Sequence, residues 1–291
     1  MENPLSNSYG DKSDNELVKA AVTGSQAALE ALVKRHQHYI YNVAHKMVLS
    51  PFDAEDITQE VLIIVITKLS QFRAESNFRT WLYRIVFNYV LQTKRRWLED
   101  YITDFSGYGK QLDSITNQSL SDYEQIEMKE LIEEAKLGCM AGMLLCLSRE
   151  QRLVYILGEI FQVDHNLGSQ LLTISKDNFR QQLSRARSDL YQFMNDKCGL
   201  VNKNNPCRCH KKTKGFIAAG WVDPTVIKFN GSYLKRIYEL AGNKAKELDD
   251  TVEVKYADLF RQHPFQEKEH VEKIASQILQ DKDVTDIFDL N

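Results

Sequence analysis

The sequence predicts an all-α protein, and two observations lead to this prediction. Its 291 residues include only 13 Gly and 5 Pro, together about 6% against a typical share of about 12%. So few chain breakers do not suit the many turns of a β-rich fold. Apolar residues recur at steps of three and four through most of the chain, which is the period of an amphipathic helix. With 43% apolar and 26% charged residues, the chain has an ordinary globular composition.

Six segments follow from the periodicity and the local charge. In chain order they are a flexible tail at residues 1–14, a helical domain at 15–98, an acidic linker at 99–138, a second helical domain at 139–195, a basic segment with Cys and His at 196–214, and a small, mostly helical extension at 215–291. Two helices are predicted over residues 15–46, divided at Gly24-Ser25, with further helices over 53–69 and 78–97.

The linker is defined by its charge. Residues 99–136 contain ten acidic residues and three lysines, a net charge of −7. Their polar middle part, residues 106–121, is expected to be irregular. Capping boxes that predict helix starts lie at Ser121-x-x-Glu124 and Ser148-x-x-Gln151.

The C-terminal extension is also acidic. Residues 216–291 contain fourteen acids and ten bases, a net charge of −4. Helical patterns occur at residues 233–240, 254–260 and 271–279. We hypothesise from charge complementarity that the extension folds over a basic DNA-binding face and inhibits it.

A helix-turn-helix pattern lies between residues 162 and 190. A short helix around residues 167–172 is followed by a break at 173–175 and by a longer helix with one apolar stripe. Ser175 suits the N-cap of the longer helix. The outward positions of that helix combine cations for phosphates with amides for base edges, as a recognition helix does. They are Lys176, Asn178, Arg180, Gln181, Arg185 and Arg187. The alternative is an ordinary solvated helix, since Lys, Arg and Gln are common on helix surfaces.

A basic and aromatic segment occupies residues 72–97. Six basic residues face one acidic residue there, a net charge of +5, and six aromatic side chains are interleaved with them from Phe78 to Trp97. Cations attract a nucleic-acid backbone and aromatic rings stack on unpaired bases, so the segment suits single-stranded or locally opened DNA. The alternative is that aromatic side chains at helical spacing, Phe78 among them, only pack the core.

Two parts of the chain resemble conserved regions of bacterial RNA polymerase sigma factors. Residues 53–60 (DAEDITQE) and 78–85 (FRTWLYRI) resemble their second region. Residues 147–152 (LSREQR), with the helix-turn-helix that ends in 183–187 (LSRAR), resemble their fourth region. The order and separation of the two regions are typical of the extracytoplasmic-function class.

This resemblance implies a DNA-binding initiation factor that performs no bond chemistry. Such a factor docks on core RNA polymerase, recognises the minus-ten and minus-thirty-five elements of promoter DNA, and stabilises the melted strand, in part by capturing a flipped base. Docking is implied for Asp53, Asp56, Gln59 and Glu60. Contact with the minus-ten element and melting are implied for Asn77, Phe78, Arg79, Trp81, Arg84, Asn88, Lys94, Arg95 and Arg96. Contact with the minus-thirty-five element is implied for Ser175, Lys176, Asn178, Arg180, Gln181, Arg185 and Arg187.

Two positions of the helix-turn-helix depart from the family pattern. Gly168 stands where an apolar residue is usual, and Thr173 replaces a frequent turn glycine. Glycine inside a helix costs about 1 kcal/mol, unless it allows a close approach of another side chain. The departures therefore bear on promoter affinity more than on the fold.

A cysteine cluster follows the second predicted domain. Cys198, Cys207, Cys209 and His210 lie within thirteen residues, and three thiols with one imidazole are a donor set for tetrahedral zinc. The spacing differs from the usual pair of knuckles, so a basic linker with free thiols is the alternative, and a redox switch is a third reading. Cys139 and Cys146 are expected to be buried packing residues.

The same features limit the classes of function. The chain shows no glycine-rich phosphate loop and no His-Glu-x-x-His helix, so we expect no enzyme. No cofactor is required by the resemblance, with structural zinc a candidate addition, and an anti-sigma factor is a candidate partner. We expect a cytoplasmic protein without a membrane segment, since no apolar stretch approaches about 18 residues. The rival interpretations are a stand-alone helix-turn-helix regulator and a zinc or thiol-redox protein.

Overall fold

The computed structural model describes residues 4–6, 9–10, 12–225 and 269–280. These residues form helices and no β-strand, which confirms the predicted all-α class for that part of the chain. They belong to two compact units. The first unit comes from residues 1–96, 153–183 and 264–291, and the second from 97–152 and 184–263.

The helices are numbered in chain order among the described residues. They are α1 (Lys12–Val22), α2 (Gln26–Val48), α3 (Pro51–Lys68), α4 (Phe78–Gln92), α5 (Trp97–Tyr101), α6 (Phe105–Ser114), α7 (Asp122–Glu127), α8 (Lys129–Leu145), α9 (Arg149–Tyr155), α10 (His165–Leu172), α11 (Lys176–Lys197), α12 (Cys209–Ala218) and α13 (Glu269–Gln280). A 3-10 turn at Leu69–Gln71 follows α3, and a π-helical turn at Ile156–Ile160 follows α9.

The first unit is built around α2. This helix packs against α1, α3 and α13, and α4 packs against α3 and α10. The backbone turns between α1 and α2 at Gly24 (φ 94°), and the Ser25 hydroxyl then caps α2 by accepting a hydrogen bond from the Ala28 amide at 3.3 Å. Its core includes fully buried Ile40 and Ile57, each of which contributes about 1.5–3 kcal/mol of transfer free energy.

Helix α13 confirms one of the helical patterns of the extension. Its side chains Val271, Ile274, Ile278 and Leu279 are buried, a spacing that puts them on one stripe. The patterns at 233–240 and 254–260 lie outside the described residues. The predicted inhibition of a DNA-binding face therefore stays a prediction.

The second unit is centred on α8 and the aromatic ring of Tyr108. Helices α6, α7 and α12 contact α8. Tyr108 donates a hydrogen bond to the Cys139 carbonyl at 2.9 Å and stacks on Trp221, with ring centroids 5.9 Å apart. Both predicted capping boxes are confirmed: the Ser121 hydroxyl caps α7, and the Ser148 hydroxyl accepts from the Gln151 amide at 3.2 Å.

The flexible tail predicted at residues 1–14 is wrong for the described part of that stretch. Helix α1 already begins at Lys12, and Leu5 and Tyr9 are buried. The Tyr9 hydroxyl donates to the Asp14 carboxylate at 2.7 Å, and that carboxylate also pairs with Arg35 and His36. The buried Asp14 carboxylate thus links this segment to residues of α2 more than twenty positions later, a contact that no local sequence pattern reveals.

Two further sequence predictions need correction. Helix α4 ends at Gln92 rather than at residue 97, because β-branched Thr93 adopts extended backbone (ψ 153°). The stretch 106–121 is irregular only after Ser114. Helix α6 forms there because the Asp104 carboxylate caps it, accepting from the Gly107 amide at 2.8 Å, and because Tyr108 and Leu112 are buried.

Candidate nucleic-acid and protein interfaces

Helix α3 presents a mixed acidic and apolar face to solvent. The exposed side chains of this face recur mostly at steps of three and four: Phe52 (79% exposed), Asp56, Gln59, Glu60 and Ile63 (36% exposed). The opposite side of the helix buries Ala54, Ile57, Val61 and Ile66 in the core. The face is therefore held on a packed helix, and Phe52 is an exposed aromatic residue on it that the sequence analysis did not single out. Phe52 lies four residues before Asp56, and this i, i+4 spacing already indicated in the sequence that the two side chains share a helix face.

Asp53 is placed differently from the other three predicted docking residues. Its carboxylate lies 3.4 Å from the Arg96 guanidinium, and both side chains are partly exposed. The Asp53 amide donates to the Ser50 hydroxyl at 3.3 Å, so this residue lies in the first turn of α3. Asp53 thus connects the acidic helix with the basic stretch that follows α4.

The loop before α4 is exposed, but the aromatic side chains beside it form a cluster. Phe72, Phe78 and Trp81 have ring centroids 5.6 Å apart in each pair. Phe78 is fully buried, whereas Trp81 is partly exposed and Asn77 is exposed. The geometry assigns Phe78 a packing role beneath Trp81, which agrees with the alternative of core packing for that ring.

Two predicted DNA-contacting arginines bind backbone carbonyls. The buried Arg79 guanidinium donates to the carbonyls of Pro4 at 3.3 Å and Ser6 at 2.6 Å. Arg84 donates to the Gln170 carbonyl at 3.1 Å. In this structure, Arg79 anchors the amino-terminal segment instead of facing solvent, and Arg84 connects α4 with α10.

The remaining predicted residues of this region lie at the surface. Asn88 is exposed on α4, Lys94 and Arg95 are exposed just after it, and Arg96 is partly exposed. Trp97, at the start of α5, is 72% exposed and stacks on Tyr101 with centroids 5.4 Å apart. Three consecutive cations beside an exposed ring are the combination that attracts and stacks nucleic acid.

The helix-turn-helix has the predicted form. Asp164 caps α10, accepting from the Leu167 amide at 2.8 Å, and the Ser175 hydroxyl caps α11, accepting from the Asn178 amide at 3.1 Å. The turn passes through the left-handed region at Thr173 (φ 56°), a conformation that strains a β-branched residue. Thr173 therefore stands where the backbone favours glycine.

Gly168 allows the two helices of the motif to approach closely. A Cβ at this position would overlap the Phe179 ring. Phe179 is buried on the inner stripe of α11 with Ala186 and Leu190. The departure from the family pattern at residue 168 is thus a packing solution, in which a glycine makes room for a phenylalanine.

The seven predicted minus-thirty-five residues are all exposed. They are Ser175, Lys176, Asn178, Arg180, Gln181, Arg185 and Arg187. Arg180 pairs with Asp177 at 3.1 Å and contacts the His165 ring nitrogen at 2.6 Å, so it is oriented along the helix surface. The other cations at positions 176, 185 and 187 give this helix a basic outer side.

The cysteine cluster has a different membership from the predicted one. Cys139, Cys198, Cys207 and Cys209 line one cavity of about 20 Å³, and His210 does not line it. All four are free thiols. Burial raises the pKa of each, to about 12 for Cys209, and neighbouring thiols add to the shift for Cys139, Cys207 and Cys209. Within the described ranges, no three His, Cys, Asp or Glu side chains already stand in the arrangement that holds a metal ion.

Comparison with known proteins identifies the first helical region. Residues 32–97 match the sigma-70 region 2 family. The chain is 37% identical over 75 residues to the RNA polymerase sigma-H factor of Pseudomonas aeruginosa. It is 40% identical over 75 residues to the ECF RNA polymerase sigma-E factor of Escherichia coli. Each of these matches spans 26% of this chain and 39% of the relative's length.

A longer match extends beyond region 2. The chain is 25% identical over 185 residues to the ECF RNA polymerase sigma factor SigW of Bacillus subtilis, covering 62% of this chain and 95% of that protein. Over this stretch the chain is similar in sequence to an extracytoplasmic-function sigma factor. Among solved structures it is similar to CnrH, in a complex with the cytosolic domain of CnrY, with 21% identity, a TM-score of 0.45, and coverage of 64% of this chain and 99% of that one. No helix in the described part combines the length and apolar character needed to cross a bilayer.

Proposed function

We propose that this sigma factor relative binds core RNA polymerase and directs promoter-specific initiation of transcription. The observation that carries the proposal is the region 2 match over residues 32–97. It covers both the exposed face of α3 and the basic stretch after α4. The domain division at residues 15–98 and 139–195 is part of the proposal: the first binds polymerase and the minus-ten element, the second the minus-thirty-five element.

The α3 face suits docking on a basic protein surface. Phe52 offers a large apolar side chain for burial, and anchors of this kind carry most of the free energy of binding in protein interfaces. Asp56 and Glu60, on the same side, supply complementary charge that steers and orients the partner. Gln59 between them adds hydrogen-bonding capacity. Asp53 takes part in docking only if its pair with Arg96 opens.

The loop at residues 72–77 and the exposed side of α4 suit the minus-ten element. Extruding a base from the duplex costs a few kcal/mol, which stacking on an aromatic ring offsets by about 1–3 kcal/mol. Trp81 is a partly exposed ring beside this loop, as is Phe72 within it, and Asn77 is an exposed amide. Phe78 supports Trp81 from below. The cations at positions 94–96 then neutralise phosphates of the upstream duplex.

Helix α11 suits the minus-thirty-five element. Its first two turns present Lys176, Asn178 and Gln181 near the capped end of the helix, the end that enters the major groove in helix-turn-helix proteins. Amide side chains read base edges, whereas Arg180, Arg185 and Arg187 bind phosphates and fix the register. No covalent chemistry is required of any of these residues.

The proposal is tested by measuring binding of the full chain to core RNA polymerase. Phe52→Ala and Glu60→Lys are expected to raise the dissociation constant at least about 10-fold, because each removes an anchor or reverses a charge on the α3 face. Tyr123→Ala is the matched control, since Tyr123 is also a large exposed aromatic side chain (69%) but belongs to α7 of the second unit. Equal binding by all three variants, or no binding by the wild type, would contradict the proposal.

A further inference from the structure

The four cysteines around one cavity in the second unit form an unusual cluster. They come from three places in the chain: Cys139 from α8, Cys198 and Cys207 from the ends of the connection between α11 and α12, and Cys209 from the first turn of α12. The cavity of about 20 Å³ has room for one small sphere, the size of a single water molecule. Four soft donors around so small a space match the donor set of a tetrahedral thiolate site.

The connection between α11 and α12 is built to hold its cysteines near one another. Asn202 and Asn205 both donate to the Asn195 carbonyl, at 3.2 and 2.8 Å, which folds the loop back on the end of α11. Gly199 lies so close to the Cys207 carbonyl and the Arg208 guanidinium that a Cβ there would overlap both. These contacts bring the start and the end of the loop together.

A hydrogen-bonded turn fixes the backbone directly after Cys198. The amides of Val201 and Asn202 both donate to the Cys198 carbonyl, at 3.3 and 3.0 Å. Contacts of this kind hold the backbone of a ligand in place beside its site.

A buried cation lines the same cavity. Lys212 is only 5% exposed, and its ammonium group donates hydrogen bonds to the carbonyls of Leu112 at 2.8 Å and Ile115 at 2.5 Å. Both acceptors are neutral. Four thiolates around a divalent cation carry a net charge of −2, so a filled site would supply the buried ammonium with a counter-charge.

We propose that Cys139, Cys198, Cys207 and Cys209 together bind one soft divalent cation of the zinc type. The four cysteines line the cavity without yet standing in the arrangement that holds an ion, and the ion draws their sulfurs to about 2.3 Å from itself. Cys198 and Cys207 lie in irregular backbone, where small adjustments cost least. Cys139 thus takes the place that the sequence spacing had assigned to His210.

Bound metal would fasten α8, α12 and the end of α11 to one another. Metal binding to a folded site is coupled to folding, so the filled site stabilises the second unit. The ligand substitutions therefore have two readouts, metal content and thermal unfolding.

The test uses the full chain, purified under reducing conditions, stripped with chelator and titrated with Zn²⁺ and with Co²⁺. We expect one Zn²⁺ per chain, a Co²⁺ spectrum typical of tetrahedral thiolate coordination, and a raised unfolding temperature. Ser substitutions at positions 139, 198, 207 and 209 are each expected to weaken binding at least about 10-fold. Cys146→Ser, directly after the helix that carries Cys139, and His210→Ala are the matched controls, since neither residue lines the cavity, and both should bind as the wild type.

Several outcomes would overturn the proposal. If all four Ser variants bind the ion with wild-type affinity, the four cysteines are not its ligands. If His210→Ala loses metal binding while Cys139→Ser retains it, the ligands are instead Cys198, Cys207, Cys209 and His210, as the sequence spacing predicted. A reduced wild-type chain that binds neither ion, but forms a disulfide among these cysteines when treated with hydroperoxide, would assign a redox role instead. Folding of each variant is checked by its helical circular dichroism, so that a lost site is not confused with a lost fold.

Discussion

Removal of the charge on Glu99 should destabilise the second unit more than any exposed substitution. Glu99 is fully buried and accepts hydrogen bonds from Arg149 at 2.9 and 2.6 Å and from Arg152 at 2.9 Å. Arg152 is itself fully buried and donates to the carbonyls of Leu144, Leu145 and Leu147. The network joins the start of α5 to the residues around the start of α9.

The expected magnitude follows from the burial of both partners. Glu99→Gln keeps the shape of the side chain but removes the buried carboxylate that pairs with the Arg152 guanidinium in the interior. Breaking a buried pair in this way costs about 3–5 kcal/mol, a large part of the roughly 5–15 kcal/mol that keeps a domain folded. The exposed pair between Lys197 and Asp113 is the control, and Asp113→Asn should cost at most about 1 kcal/mol.

Urea unfolding followed by circular dichroism measures both values. A double-mutant cycle of Glu99→Gln and Arg152→Met should show coupling, with the double variant more stable than the sum of the single losses predicts. If Glu99→Gln costs no more than Asp113→Asn, or if the two losses add within about 0.5 kcal/mol, the reasoning is refuted.

The remaining predictions concern one buried lysine and two backbone positions. Burial lowers the pKa of Lys46 from 10.5 to about 7, so from pH 7 upward the unfolded chain keeps a proton on this side chain that the folded chain has lost. The free energy of unfolding therefore rises with pH by up to about 1.4 kcal/mol per pH unit. Lys46→Met should remove that slope, as measured by denaturant unfolding at about pH 7.5 and 8.5. Thr173→Gly should raise the unfolding temperature by relieving left-handed strain of about 1 kcal/mol, whereas Ser184→Gly within α11 should lower it. Gly168→Ala should lower the free energy of unfolding by about 1–3 kcal/mol, because its Cβ overlaps the packed Phe179 ring. Gly107→Ala, whose Cβ meets only ordinary contacts 3.6 Å away, should be neutral or stabilising in the same thermal unfolding experiment.

The local features of the fold were predictable from sequence because local chemistry determines them. The breaks at Gly24-Ser25 and at Thr173, and the caps at Ser121, Ser148 and Ser175, depend on residues within one turn of each other. Helix periodicity located α1 to α4 and the helix-turn-helix for the same reason.

Features that depend on distant contacts were not predictable in this way. Arg79 lies in a basic and aromatic segment that suits DNA binding, and only the fold shows that its guanidinium donates to carbonyls of the amino-terminal segment. The position of Cys139 beside Cys209, seventy residues later in the sequence, depends on the packing of α8 against α12. The polar composition of residues 106–121 suggested irregular structure, whereas burial of Tyr108 and Leu112 stabilises α6 there.

Run-off transcription tests the proposed function most directly. Core RNA polymerase is supplied with a template library carrying randomised minus-thirty-five and minus-ten segments, with and without this protein. The proposal predicts discrete start sites only when the protein is present, and a shift in the selected minus-thirty-five sequences when Asn178 and Gln181 on α11 are replaced by alanine. A protein that binds duplex DNA but neither binds core polymerase nor supports any start would contradict the proposal and favour a stand-alone regulator.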